Sequence, residues 1–170
     1  SMPMRPNLFI AVAGNIGAGK SSAAKIIARH FDFELFQEPV LDPGNVNLES
    51  THAVEGEEYR WTRVRANQGG VVDLIGAVGA TSQACAYAFA RVNVPAATDA
   101  VLRLGSDDGV RAWINGQVVH ENNTDRGAAL DQDQAPVRLE AGDNDIVLQV
   151  TQGAGGWNFI ARLTAPDGSA

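Results

Sequence analysis

One stretch near the start of this 170-residue chain has residue types at a spacing that does recognisable chemistry: Gly14-Asn15-Ile16-Gly17-Ala18-Gly19-Lys20-Ser21, followed by Ser22. The spacing G-x-x-x-x-G-K-S is that of a Walker A loop. Its glycines let successive backbone N–H groups curl toward phosphate oxygens, and the N-terminus of a following helix adds a positive dipole. Lys20 would reach the β and γ phosphates, and Ser21 would ligate magnesium. Gly14 to Ser22 are therefore the candidate ATP–magnesium site. A second polar cluster, Ser106-Asp107-Asp108-Gly109, lies far downstream between two apolar runs. Asp before Gly is what a tight turn wants, whatever else it does.

A phosphate loop needs a strand before it and a helix after it, and the flanking sequence has both signals. Leu8 to Ala13 is a continuous apolar run of strand length. In Ser22 to His30, Ala23, Ile26, Ile27 and His30 recur at spacings of three and four with no Gly or Pro between them, which predicts a helix. Asp42-Pro43-Gly44-Asn45 then concentrates turn residues, and beyond it the composition moves to Gly, Val, Thr, Asn and Asp. This places a boundary between residues 1–42 and 43–170.

The second unit reads as short strands. Val101 to His120 holds two apolar runs, broken at Ser106–Gly109 and again at Asn115-Gly116, and is read as the centre of an antiparallel sheet. Asn-Gly accepts positive φ at both central positions of a type I′ turn, whose twist suits a hairpin. Cys85, Tyr87 and Phe89 alternate with small residues, Ile146, Leu148 and Val150 with Val147, Gln149 and Thr151, and Trp157, Phe159 and Ala161 with Asn158, Ile160 and Arg162. About eight strands, with turns every eight to twelve residues and no long helix after His30, predict a mainly β fold: a jelly-roll β-sandwich carrying an N-terminal β-α-β P-loop fragment.

Composition narrows the partners. The net charge is −7, and residues 1–42 are balanced with four basic and four acidic side chains, so residues 43–170 carry the whole excess. This argues against nucleic acid or an anionic membrane surface. Cys85 is the only cysteine, which excludes an internal disulfide and a cysteine zinc site. The apolar run at Leu8–Ala13 is too short for a signal h-region or a span, so no export signal is expected from it. His30, His52 and His120 show no metal-ligand spacing. Trp61, Trp113 and Trp157 have apolar neighbours at alternate positions, which favours core packing over a sugar-stacking platform.

The run LFIAVAGNIGAGKSSAAKIIARHF, followed by FELFQEPV, resembles the N-terminal segment of deoxynucleoside kinases. The resemblance covers residues 7 to 42 and implies that Glu38, in Glu38-Pro39-Val40, is the catalytic base on a nucleoside 5′-hydroxyl. After Asp42 the kinase pattern stops: there is no D/E-R-S motif, arginine-rich lid or nucleoside-binding helix, and Asp125-Arg126 is followed by Gly127. Nucleotide-phosphate binding without kinase activity is what remains of that reading.

Residues 46 to 166, with LGSDDGVRAWINGQVVHENN, RGAALDQD, VRLEAGDNDIVLQVTQGAGGW and NFIARL, resemble galactose-binding-like and PA14-related β-sandwich modules of bacterial secreted proteins. The Trp-containing first strand of such modules, ending in Gly-Pro-Phe, is not present, and Phe33–Val40 would stand in for it. This resemblance implies a non-enzymatic carbohydrate-binding module in which Asp107 and Asp108 bind calcium and, through it, sugar hydroxyls. Calcium takes oxygens that converge from loops, and Asn122, Asn123, Asp125, Asp131 and Asp133 are a second source of them. One structural expectation concerns both units. Leu8–Ala13 is too apolar to stand as an open edge, so it pairs either with the sandwich or with a second copy of the chain in a homodimer.

Overall fold

A computed structural model describes residues 7–15, 42–49, 51–54, 57–64, 66–78, 84–153 and 155–169. Most of these residues lie in twelve strands. The first five are β1 (Asn7–Asn15), β2 (Thr51–Val54), β3 (Glu57–Arg60), β4 (Thr62–Val64) and β5 (Val71–Asp73). A short helix, α1 (Leu74–Val78), leads to β6 (Ala84–Val94), β7 (Thr98–Asp107), β8 (Val110–Ile114) and β9 (Gln117–Asn122). The last three are β10 (Asp133–Leu139), β11 (Gly142–Gln152) and β12 (Asn158–Thr164).

Two antiparallel sheets form a sandwich: a six-stranded sheet ordered β4-β1-β6-β11-β8-β9 and a four-stranded sheet ordered β10-β7-β12-β5; β2 and β3 pair separately. Between the sheets, small side chains of β6 (Ala86, Ala88, Ala90) share one buried cluster with Leu102 and Leu104 of β7 and Leu148 of β11. The alternation in β6 and β11 therefore arises because one face of each strand must leave water, at about 1.5–3 kcal/mol per large apolar side chain buried.

The other face of the six-stranded sheet is also covered. Cys85, Tyr87, Phe89, Trp113 and Val147 form a second cluster, against which Val46, Leu48 and Trp61 pack. Trp61 meets Phe89 edge-on at 6.3 Å between ring centroids, and burial pushes the Tyr87 hydroxyl pKa up. The segment just after the Asp42 turn is thus a flap over the sheet. All three tryptophans contribute to packing: Trp157 is fully buried, Trp113 is in the flap cluster, and Trp61 lies between β3 and β4 rather than within one strand.

The apolar run at Leu8–Ala13 pairs with the sandwich. Strand β1 is antiparallel to β6, with Leu8 opposite Ala90, and antiparallel to β4, with Leu8 opposite Val64; the β6 register shifts between Val12 and Gly14. Gly14 and Asn15, the first two positions of the glycine–lysine pattern, continue this strand opposite Cys85 and Ala84. Ile16, Gly17, Ala18, Gly19, Lys20, Ser21 and Ser22 lie outside the described residues, as do the helix expected after them, the Phe33–Val40 strand and Glu38.

The Val101–His120 reading needs one correction. Asn115 (φ 51°) and Gly116 (φ 81°) do form the expected turn, joining β8 to β9. Ser106–Gly109, however, joins strands of different sheets: β7 belongs to the four-stranded sheet and β8 to the six-stranded one. The crossover is fastened to β11 by main-chain bonds from Asp108 N–H to Thr151 O (2.8 Å) and from Thr151 N–H to Gly109 O (3.0 Å). Alternation is the same whichever sheet a strand joins, so the sequence does not separate a hairpin from a corner.

Candidate functional site

The corner between the sheets is where polar groups concentrate. Asp107 ends β7, Asp108 is buried at 7% relative exposure, and the peptide between them is cis. Asp108 is held by two main-chain donors: Gly153 N–H to Oδ2 (2.7 Å) and Arg126 N–H to Oδ1 (3.2 Å). Ser106 Oγ donates to the Asp108 carbonyl at 2.7 Å.

Glycines make room for these carboxylates. A Cβ at Gly156 would lie 2.8 Å from Asp107 Oδ2. One at Gly153 would lie 3.3 Å from Asp108 Oδ2 and 3.8 Å from Asp125 Oδ1, so Asp108 and Asp125 converge over that glycine. The Asp107 carboxyl is pushed up to about 6 by burial, by a hydrogen bond with Asp108 and by the charge of Asp108. Two crowded carboxyls retain a proton because ionising both costs Coulomb energy. Among the described residues no Lys, Arg or His side chain pairs with Asp107 or Asp108.

Of the five residues read as a second oxygen source, the fold brings Asp125 to this corner, sets the Asn122 carbonyl and the Asn123 backbone beside Gly109, and commits Asp131 and Asp133 to arginines. Asp133 receives Arg126 Nη2 at Oδ2 (2.6 Å), Arg126 Nη1 at Oδ1 (3.1 Å) and Asn122 Nδ2 at Oδ1 (3.1 Å). His120 Nε2 lies 3.1 Å from Asp133 Oδ2, near enough for an ion pair though not aligned as a hydrogen bond. Burial raises the Asp133 pKa, but Arg126, His120 and Asn122 outweigh it and hold the group below its usual value. Asp131 is likewise lowered, mainly by its bond from Arg162 (Nε to Oδ1, 2.9 Å). Carboxylates already neutralised by arginines are poor calcium donors, and spacing alone shows none of this.

The strap between β9 and β10, residues 123–132, supplies Asp125 and Arg126 to the corner. It lies flush on β7: a Cβ at Gly105 would sit 1.8 Å from the Ala129 carbonyl oxygen. Gln132 fastens it, accepting from Ser106 N–H (3.0 Å) and donating to Gly127 O (2.7 Å). Gly153, Gly156 and Arg126 are site residues that sequence reading missed. The Gly-rich break after Gln152 was the signal for the first two, while Arg126 had no signal beyond its adjacency to Asp125.

The fold defines the class: a two-sheet antiparallel β-sandwich whose chain crosses between sheets at an acidic corner. No protein-family model matches the sequence, and no curated protein matches it. Solved structures do match. A β-glucosidase from Kluyveromyces marxianus in complex with glucose is similar at TM-score 0.51 and 10% identity, over 93% of this chain and 16% of that one. A β-glucuronidase from Faecalibacterium prausnitzii is similar at TM-score 0.50 and 13% identity, over 88% of this chain and 21% of that one. A PA14 sugar-binding domain from an RTX adhesin is similar at TM-score 0.41 and 24% identity, over 52% of this chain and 50% of that one. The chain thus spans half of the adhesin domain and under a quarter of either glycosidase, and what it shares with the two glycosidases is the fold.

Proposed function

We propose that this chain is a non-enzymatic carbohydrate-binding module of jelly-roll type in which Asp107, Asp108 and Asp125 hold a calcium ion that takes sugar hydroxyls. The observation that carries the reading is the placement of Asp108 and Asp125 over Gly153 and of Asp107 over Gly156, with no Lys, Arg or His side chain among the described residues paired with Asp107 or Asp108. The donor chemistry fits calcium, a hard cation that takes about six to eight oxygens. Among the described residues no group of three or more His, Cys, Asp or Glu side chains is placed to hold a metal ion by itself. Main-chain carbonyls, water and sugar hydroxyls would therefore complete the shell, and that requirement is what suits the ion to a saccharide ligand.

The test is a thermal melt with calcium, then with calcium and simple sugars. Calcium at a hundred times its Kd should stabilise the folded chain by about 2.7 kcal/mol. Asp107→Asn and Asp108→Asn should remove that response, and a wild-type protein indifferent to calcium overturns the reading.

A second reading keeps the N-terminal motif: ATP phosphates on Gly14–Ser22 with magnesium on Ser21, and Glu38 as base if any kinase-like chemistry survives. It is favoured by the complete G-x-x-x-x-G-K-S spacing after an apolar strand. Melting with ATP and magnesium tests it: a shift lost in Lys20→Ala supports it, and no shift in the wild type rejects it.

A further inference from the structure

Asp125-Arg126, the pair that fails the kinase pattern, has both members at the corner, and Arg126 binds in two directions. Its main-chain N–H donates to Asp108 Oδ1. Its guanidinium donates from Nε to Ser106 O (3.1 Å), from Nη2 to Ser106 Oγ (2.9 Å), and from both terminal nitrogens to Asp133. One side chain thereby ties the strap to Ser106, the penultimate residue of β7, and to the first residue of β10. Four anchoring bonds in a planar fork fix an orientation that a point charge does not.

We propose that Arg126 is a positioning residue for the calcium site, clamping the strap so that its own amide and the Asp125 carboxylate face Asp108. The inference rests on the calcium reading above. Its electrostatic sign makes it testable. Removing a positive charge near a bound cation should tighten binding by Coulomb's law alone. Loss of a positioning group does the opposite, and removal of such outer-shell partners typically weakens metal binding about 10–100-fold.

Calcium titration calorimetry on the intact chain, with terbium luminescence lifetimes in H2O and D2O to count waters on the ion, tests the clamp. Arg126→Gln is expected to bind calcium about 10–100-fold more weakly and to leave more water on terbium. Arg126→Lys, which restores the charge but not the fork, should recover only part of this. Asp133→Asn keeps Arg126 but weakens its anchor, and serves if Arg126→Gln does not fold; it should shift affinity and water count in the same direction. Arg138→Gln, which removes an equal charge from the exposed pair with Asp99, should change neither. Unchanged or tighter calcium binding in Arg126→Gln, or equal weakening in Arg138→Gln, overturns the clamp while leaving the calcium site standing. A wild type that binds no calcium overturns both.

Discussion

Asp108 and Asp133 are bound by the same residue, one by its amide and the other by its guanidinium, yet their surroundings are opposite. Asp133 has Arg126 and His120 against it and is held ionised. Beside Asp108, Asp107 has no cationic side chain paired with it among the described residues, and its pKa is raised to about 6. A carboxylate neutralised by its own chain is part of the framework. Crowded carboxylates without such a partner are where a cation from outside has something to gain.

This contrast can be broken in several ways. The largest effect is expected from Gly105→Ala, whose methyl group would meet the Ala129 carbonyl at 1.8 Å and push the strap off β7. A loss of about 3 kcal/mol in urea unfolding is expected. A midpoint equal to wild type would show that the strap is not held there.

Asp133→Ala should cost about 2 kcal/mol in the same measurement, because it leaves the Arg126 guanidinium short of its main acceptor. Asp107→Asn in calcium-free buffer below pH 6 should cost far less, since there a neutral group replaces one held mostly neutral.

The two acids should also have pH profiles of opposite sign. The Asp107 pKa is raised from 3.8 to about 6, so its contribution is full below pH 3.8 and is lost as pH rises through 6. The Asp133 pKa is lowered, so its contribution is present above the unfolded value of 3.8 and is lost as pH falls through the lower folded value. Melting curves in EDTA, taken as wild type minus Asp107→Asn and wild type minus Asp133→Asn, should slope in those opposite directions. Parallel slopes would remove the distinction between the two carboxylates.

The smallest effect is expected at the exposed Asp131–Arg162 pair. Asp131→Asn should cost under about 1 kcal/mol and leave calcium binding unchanged.

Legible in the residues alone were the strand periodicity, the Asn115-Gly116 turn, the packing role of the three tryptophans and the separation of the aromatic and small faces of β6. Each of these follows from local geometry: side chains alternate with period two, and a type I′ turn demands residues that tolerate positive φ. Asp107 and Asp108 could likewise be picked out as an acidic pair.

What surrounds them came from the packing of the fold. It showed that Ser106–Gly109 crosses between sheets, that the Val46–Leu48 flap covers the second aromatic face, and that β1 joins the six-stranded sheet beside β6. Of the acidic residues on and just after the strap it brought Asp125 to the corner, while Asp131 and Asp133 went to arginines. The physical reason is range. Backbone conformation is set by near neighbours, but the charge state and purpose of a carboxylate depend on which residues folding brings within about 4 Å.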